Sequence, residues 1–171
     1  MDQLNRADIQ SFKQQDKTPI VLVLDNVRSM HNVGSAFRTA DGFAIEKIIL
    51  CGITGTPPHR EIEKTALGAT QSVAWQYHKD NTEAIQQLKL EGYKIYAVEQ
   101  AQGSLSLQAF KPTNNEKYAL VFGNEVHGVD DSVMQIVDGC IEIPQFGTKH
   151  SFNVSVTMGI VLWHFMQAKK F

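Results

Sequence analysis

Pro19-Ile20-Val21-Leu22-Val23-Leu24, followed at once by Asp25-Asn26, is the stretch of this chain that most clearly indicates its fold. An apolar run of this length, ended by turn-forming residues, is typical of a strand that is covered on both faces, as in a parallel sheet. The same pattern recurs at residues 47–51, 93–98, 118–122 and 140–143. The sequence therefore predicts five short buried strands.

Apolar residues at helical spacing lie between and after these strands, at residues 33–40, 82–90 and about 153–167. Asp130 or Asp131 could cap a further short helix that runs through Ile136. Strands that alternate with helices predict an α/β domain with a mainly parallel sheet and helices on both faces. We expect this domain to cover residues 19–171, after an N-terminal extension of residues 1–18.

Composition limits the functions open to the chain. Its 171 residues include 16 Lys and Arg against 18 Asp and Glu, for a formal charge of −2. That balance excludes a uniformly basic nucleic-acid binder, although a local basic patch remains open. Two cysteines are too few for a disulfide-rich scaffold, and the six histidines lack metal-ligand spacing, so no metal is expected. With no signal or membrane segment in the sequence, we expect a cytoplasmic protein with no membrane partner.

Open α/β sheets bind ligands beyond the carboxyl ends of their strands, and three polar loops follow strands here. The first contains Asn32, Gly34 and Arg38. Asn32 is a good helix N-cap, and Gly34 allows close approach to a partner. If Arg38 is buried among its apolar neighbours, it needs an anionic partner, which an internal ion pair or a ligand could supply.

The second loop has two glycines, Gly123 and Gly128, with four residues between them. This spacing suggests a phosphate-binding loop, but Val129 and Asp130 stand where such a loop needs Lys followed by Ser or Thr. Glu125 would also repel phosphates. It could instead face a cation, cap exposed amides or accept a hydrogen bond from a hydroxyl group, or be a surface residue of a tight turn.

The third loop leads into the last predicted helix. Ser151 and Asn153 bracket the start of that helix, and on their own they are most simply capping residues.

Taken together, the three loops resemble the signature motifs of the SpoU (TrmH) family of SPOUT methyltransferases. They occur in the family's order, over about residues 20–168. The first motif comprises Asn32, Gly34, Arg38 and Thr39; the second comprises Phe122, Gly123, Glu125 and Gly128; the third comprises Ile143, Pro144, Ser151, Asn153, Val154 and Ser155.

This resemblance implies a fold and an assembly that composition cannot reveal. Family members thread the C-terminal segment through a loop to form a deep trefoil knot, which general topology rules would disfavour. Their knot loops bind S-adenosylmethionine in a bent form. Members are typically homodimers with the active site at the subunit interface. The resemblance therefore implies S-adenosylmethionine as cofactor and a homodimer as the functional unit.

The implied reaction is methyl transfer to a ribose 2′-hydroxyl of tRNA or rRNA. By the family match, Arg38 is the central catalytic residue, and holding a phosphate or stabilising negative charge suits a guanidinium better than acting as a base. Asn32 would hold RNA or Arg38, and Glu125 would orient Arg38 or the substrate. Ser151 and Asn153, also assigned to the catalytic set by the family match, would fix the third loop and the catalytic groups. Gly123, Ile143 and Phe152 match positions that line the family's cofactor pocket, although Phe152 replaces the more usual Leu. The strand end near residues 98–100 could add further contacts.

The sequence also suggests which residues contact RNA and which other functions remain open. Arg28 and Arg60 are the better candidates for phosphate contacts in a local basic patch. A non-catalytic RNA-binding protein that keeps the knotted fold is the alternative function. A Rossmann oxidoreductase is a further possibility, but it requires G-x-G-x-x-G after the first strand, and the stretch from Asp25 lacks that pattern. The sequence does not specify which RNA or which nucleotide is methylated.

Overall fold

Seven strands form one sheet in the computed structural model, which describes residues 8–149 and 151–168. Every pairing between these strands is parallel. The strand order is β3-β2-β1-β6-β4-β7-β5. The strands are β1 (Thr18–Asp25), β2 (Ile45–Cys51), β3 (Trp75–His78), β4 (Tyr93–Val98), β5 (Leu105–Ser106), β6 (Lys117–Phe122) and β7 (Gly139–Glu142).

Within the described residues, seven helices accompany the sheet. They are α1 (Ile9–Gln14), α2 (Met30–Gly42), α3 (Arg60–Ala66), α4 (Ala69–Ser72), α5 (Asn81–Leu90), α6 (Asp131–Met134) and α7 (Val154–Gln167). In the described part of the chain, no helix is long and apolar enough to cross a membrane.

The apolar residues of β1 show that both faces of the sheet are covered. Leu22 belongs to a cluster that contains Phe37 of α2 and Phe165 of α7. Its neighbour Val21 belongs to a second cluster, which contains Ile85 of α5. Because successive side chains of a strand point to opposite faces, α2 and α7 cover one face and α5 covers the other. The predicted mainly parallel α/β sheet is confirmed.

The strands that the sequence did not predict lie at the two ends of the sheet. β3 is only partly covered, and Tyr77 is exposed, so this strand lacks the apolar run that identified the others. β5 has two residues, too few for a sequence pattern. Strands at the ends of the sheet are covered less completely than central strands, so their composition gives a weaker signal of strand structure in the sequence.

The predicted N-terminal extension contains α1 and the first residue of β1, while residues 1–7 lie outside the described part of the chain. Phe12 of α1 is buried in the same cluster as Phe37 and Phe165. The domain boundary at residue 19 stays a prediction.

Gly34 in α2 makes the close approach that its sequence position suggested, and the partner is α3. A Cβ atom at Gly34 would overlap the Thr65 hydroxyl oxygen and the Ile62 carbonyl oxygen. The glycine therefore lets two helices pack closely, and this contact places the loop before α2 beside the start of α3.

Candidate active site

A cavity of about 340 Å³ opens at the carboxyl ends of β4, β6 and β7. Its lining comes from three stretches of chain, within residues 98–100, 122–128 and 142–157. This is the edge of an open α/β sheet at which ligands bind. All three residues predicted to contact the cofactor line the cavity, as do three of those predicted to be catalytic: Gly123, Ile143, Phe152, Glu125, Ser151 and Asn153.

A tight turn from Gly123 to Gly128 forms one wall of this cavity. The Asn124 amide donates to the Gly128 carbonyl at 2.8 Å, and the Gly128 amide donates to the Asn124 carbonyl at 2.9 Å. A Cβ atom at Gly123 would overlap the Gly128 carbonyl carbon and the Val129 nitrogen. Gly123 is therefore required for the chain to fold back on itself beside the cavity.

Glu125 joins this turn to the start of α2. Its carboxylate accepts hydrogen bonds from the backbone amides of Arg28 and Ser29 and from the side-chain amide of Asn32, each at 3.0 Å. The sequence left several roles open for Glu125. The structure shows one of them, because the Glu125 carboxylate caps exposed backbone amides. Partial burial opposes ionisation of Glu125, but these donors outweigh it and hold its pKa below the ordinary value.

Asn32 links the same network to the third loop. The Asn153 side-chain amide donates to the Asn32 side-chain oxygen at 3.2 Å. The Asn153 side-chain oxygen accepts from the Ser155 amide at 2.9 Å, and Asn153 is thus the N-cap of α7. One residue from each of the three motifs, Asn32, Glu125 and Asn153, therefore belongs to a single hydrogen-bonded group.

The predicted N-cap role of Asn32 is wrong. The N-cap of α2 is Ser29, whose hydroxyl oxygen accepts from the Asn32 amide at 3.3 Å. The helix begins three residues earlier than its apolar pattern indicated, so Asn32 lies within the first turn. Its side chain is thereby free to bond with Glu125 and Asn153.

Arg38 is exposed, so it is not the buried arginine that would need an internal ion pair or an anionic ligand. Helix α2 turns Ala36, Phe37 and Ala40 into the core and leaves Arg38 on the outer face. Among the described residues, Arg38 forms no ion pair, is not bonded to Glu125 and does not line the cavity. Glu125 therefore does not orient Arg38 within this chain.

Comparison with known proteins assigns this arrangement to a family. The profile described as the SpoU rRNA Methylase family matches residues 19–163, which include all three loops. The chain belongs to the SpoU family. The predicted resemblance is confirmed.

Related proteins extend this result. The chain is 30% identical over 161 residues to the tRNA (guanosine(18)-2′-O)-methyltransferase of Thermus thermophilus, covering 92% of this chain and 79% of that protein. It is 32% identical to the 23S rRNA (guanosine-2′-O-)-methyltransferase RlmB of Vibrio parahaemolyticus, covering 94% of this chain and 64% of that protein. The crystal structure of an AdoMet-bound rRNA methyltransferase from Sinorhizobium meliloti superposes with a TM-score of 0.81 at 25% identity, covering 91% of this chain and 57% of that chain.

The two arginines predicted to contact RNA are both exposed in this SpoU protein. The Arg60 side chain is 94% exposed and lies 3.9 Å from Glu61, a distance at which an exposed pair contributes little. The segment that carries Arg28 lies beside the chain leading into α3, which begins at Arg60, because the Val27 amide donates to the Thr54 hydroxyl at 2.9 Å and His31 contacts Glu61 at 2.6 Å.

Two polar residues next to the SpoU motifs, Asn124 and Asp25, were missed by sequence reasoning, whereas Glu99 lies in the strand end at residues 98–100 that the family match suggested. Asn124 is buried, and its side-chain amide donates to the Asn26 carbonyl at 2.8 Å. Asp25 is 1% exposed and accepts from the Asp130 amide at 2.7 Å, while burial raises its pKa. Glu99 lies at the end of β4, in the cavity wall. Asp25 had a sequence signal, since an acid that directly ends a buried strand is unusual, and Glu99 after β4 has the same signal.

Ser151 lines the cavity and is exposed, and in the described part of the chain its hydroxyl has no hydrogen-bond partner.

Across residues 8–149 and 151–168 there is no group of three or more His, Cys, Asp or Glu side chains placed to hold a metal ion.

The hydrogen bonds accepted by Glu125 predict that the stability of the fold decreases in acid. The folded state lowers the pKa of Glu125, so this group stabilises the fold fully above its ordinary pKa of 4.5 and loses that contribution as the pH falls through its lowered value. We expect Glu125→Gln to have a lower Tm than the wild type at about pH 7, and the difference to shrink below pH 4.5. Thermal melts at a series of acid pH values measure this difference in Tm. A Tm difference that does not change with pH would contradict the role assigned to the ionised carboxylate.

Proposed function

We propose that this chain transfers a methyl group from S-adenosylmethionine (AdoMet) to a ribose 2′-hydroxyl of tRNA or rRNA. The observation that carries the proposal is that the second and third SpoU motifs line one cavity, while Asn32 of the first motif is hydrogen-bonded to Glu125 and Asn153 in its wall. The reaction class and the cofactor predicted from the sequence agree with relatives named as tRNA and rRNA 2′-O-methyltransferases and with the AdoMet-bound neighbour.

The cavity suits the cofactor in size and chemistry. A volume of about 340 Å³ lies within the range of small-ligand sites, and the lining combines apolar side chains with a few fixed polar groups. Val98, Ile143 and Phe152 offer apolar surface, while Gly123 brings the backbone of the turn close to the bound molecule. When bound, AdoMet supplies a methyl group on a positively charged sulfur.

The residues of the chain position the reactants. Asn32 is buried and bonded to both Glu125 and Asn153, so it fixes the wall of the cavity by holding the three motifs together. The Ser151 hydroxyl faces the cavity without a protein partner among the described residues, so it is available to the substrate. A guanidinium is a positively charged group with several N–H donors, which suits Arg38 to hold a phosphate and to stabilise negative charge on the attacking oxygen.

We also propose that the functional unit is a homodimer. Helix α7 begins at the cavity and exposes Val156, Ile160 and Trp163, which are spaced along one face of the helix. Trp163 is 53% exposed, so a large aromatic side chain is left partly uncovered. A second copy of the chain would cover these three exposed apolar side chains. Because Arg38 does not line the cavity of its own chain, a site completed across an interface also explains how Arg38 reaches a substrate.

Ile160→Asp tests the homodimer. Ile160 is only half-buried, so the variant is expected to fold, to sediment as a monomer and to lose most methyl transfer, because a charge opposes burial against a second chain. Leu90→Asp is the matched control: Leu90 is 90% exposed at the end of α5, away from α7. A fully active wild-type monomer at assay concentration would contradict the proposal.

Two finer expectations belong to the same proposal. The deep trefoil knot is supported by SpoU membership and by the meeting of residues 123–128 and 142–157 at one cavity. A crystal structure that follows the chain continuously from Phe122 to Val154 tests whether the C-terminal segment passes through a loop. The cytoplasmic location stays a prediction, and fractionation of cells that express the protein tests it.

Titration calorimetry followed by mass spectrometry of RNA tests the proposed reaction. We expect AdoMet to bind and NAD not to bind; the opposite result would favour an oxidoreductase. Deletion of the gene should remove one 2′-O-methyl mark from tRNA or rRNA, and purified protein should restore it. RNA binding without restoration of any mark would favour the non-catalytic alternative.

A further inference from the structure

Glu99 holds a fixed carboxylate in the wall of the proposed cofactor cavity. It directly follows β4 and is half-buried. One carboxylate oxygen accepts from the Gln100 amide at 3.0 Å, and the other accepts from the Val129 amide at 3.3 Å. These two bonds restrict the side chain, so its negative charge has a defined place beside the ligand volume.

The Glu99 carboxylate fits against Gly128 because glycine has no side chain at that position. A Cβ atom at Gly128 would overlap one Glu99 carboxylate oxygen and lie 3.1 Å from the Glu99 carboxyl carbon. The positive φ of 74° at Gly128 also favours glycine. The second SpoU motif thus ends on a glycine that accommodates an acidic side chain from a neighbouring strand.

A second carboxylate lies next to the first. β4 and β7 are adjacent parallel strands in which Val98 pairs with Ile141, and the Glu99 amide donates to the Ile141 carbonyl at 3.0 Å. Glu142 therefore stands beside Glu99, and both line the cavity. Among the described lining residues there is no Lys, Arg or His, so nothing there offsets these two charges.

We propose that Glu99, reinforced by Glu142, makes this cavity select its ligand by positive charge at the reacting sulfur. The inference rests on the proposed function. Methyl transfer breaks the S–CH3 bond, forms an O–CH3 bond at the ribose oxygen, releases the hydroxyl proton to water and leaves the bonding electron pair on sulfur, so AdoMet becomes the neutral thioether S-adenosylhomocysteine. The adenosine and amino-acid parts are common to both molecules, and only the charge on sulfur distinguishes them electrostatically. A fixed carboxylate therefore favours the substrate form and assists release of the product.

A different role for Glu99 would give a different pattern. A carboxylate that accepts hydrogen bonds from the ribose hydroxyls of the cofactor would contact AdoMet and S-adenosylhomocysteine equally. Removal of its charge would then weaken both ligands by the same factor. The ratio of the two affinities thus separates charge selection from hydroxyl recognition.

Calorimetric titration of Glu99→Gln with three ligands tests the proposal. Glutamine keeps the shape and an acceptor oxygen for the Val129 amide but removes the charge. We expect AdoMet to bind about tenfold more weakly, the size of effect that one charge at several ångströms produces in a partly buried site, and S-adenosylhomocysteine to change by less than about twofold. Sinefungin, which carries an ammonium group in place of the methylated sulfur, should follow AdoMet. Asp16→Asn is the control, because it removes one exposed negative charge before β1, at the opposite edge of the sheet.

The possible results separate this inference from the proposed function. Equal weakening of all three ligands, or no change in AdoMet binding, would overturn the role of Glu99 while leaving the methyltransferase proposal intact. Wild-type protein that binds none of the three ligands would overturn both. If Glu99→Gln does not fold, Glu142→Gln provides the same comparison: a selective loss of the cationic ligands supports charge selection, and a uniform change contradicts it.

Discussion

Arg38→Ala is expected to reduce methyl transfer to RNA by at least about a hundredfold while leaving AdoMet affinity unchanged. Arg38 is exposed on α2 and does not line the cavity, so its removal leaves both the core and the cofactor wall intact. The lost group is the one assigned to the phosphate and to the developing charge on the attacking oxygen. Single-turnover methyl transfer and calorimetric titration of AdoMet measure the two effects separately.

Arg38→Lys is the informative companion variant. Lysine keeps the positive charge but cannot form the paired hydrogen bonds of a guanidinium, so we expect activity between that of the wild type and that of Arg38→Ala. If Arg38→Ala is as active as the wild type, the assignment of Arg38 is refuted. If Arg38→Ala loses AdoMet binding as well, Arg38 belongs to the cofactor site rather than to the RNA site.

Gly123→Ala is expected to abolish detectable AdoMet binding and to destabilise the fold by about 1–3 kcal/mol, the usual cost of forcing an extra methyl group into a packed site. The added Cβ atom would overlap the backbone of Gly128 and Val129, so the turn must open and the cavity wall must move. Titration of AdoMet and thermal unfolding measure the two consequences.

Gly147→Ala is the matched control for this change. Gly147 lies in the third loop, where an added Cβ atom would meet nothing within 4 Å. We expect this variant to bind AdoMet and to unfold like the wild type. Normal AdoMet binding by Gly123→Ala would show that the turn does not need the conformation described here.

The positions of the motif residues were largely predictable, because they depend on topology. In a parallel sheet the carboxyl ends of the strands share one edge, so loops that follow β1, β6 and β7 must meet there. This explains why Gly123, Glu125, Asn153 and Ile143 all line one cavity. The roles assigned to them stay predictions from the family match.

The errors arose where the sequence does not define a side chain's surroundings. Apolar residues flank Arg38 along the chain, but the helical period turns them inward and leaves Arg38 outside. The start of α2 was misplaced because Ser29, rather than Asn32, caps it. The contacts of Glu99 were not predicted, because its partners, Gly128 and Val129, lie about thirty positions away, and only the folded chain brings them together.

The reaction itself is tested most directly by incubating the purified protein with isotopically labelled AdoMet and RNA that lacks the modification, followed by digestion and mass spectrometry of the nucleosides. We expect the label in a single kind of 2′-O-methylated nucleoside, with no transfer by Arg38→Ala. Absence of any 2′-O-methylated product from tRNA and rRNA, by protein that binds AdoMet, would contradict the proposed function.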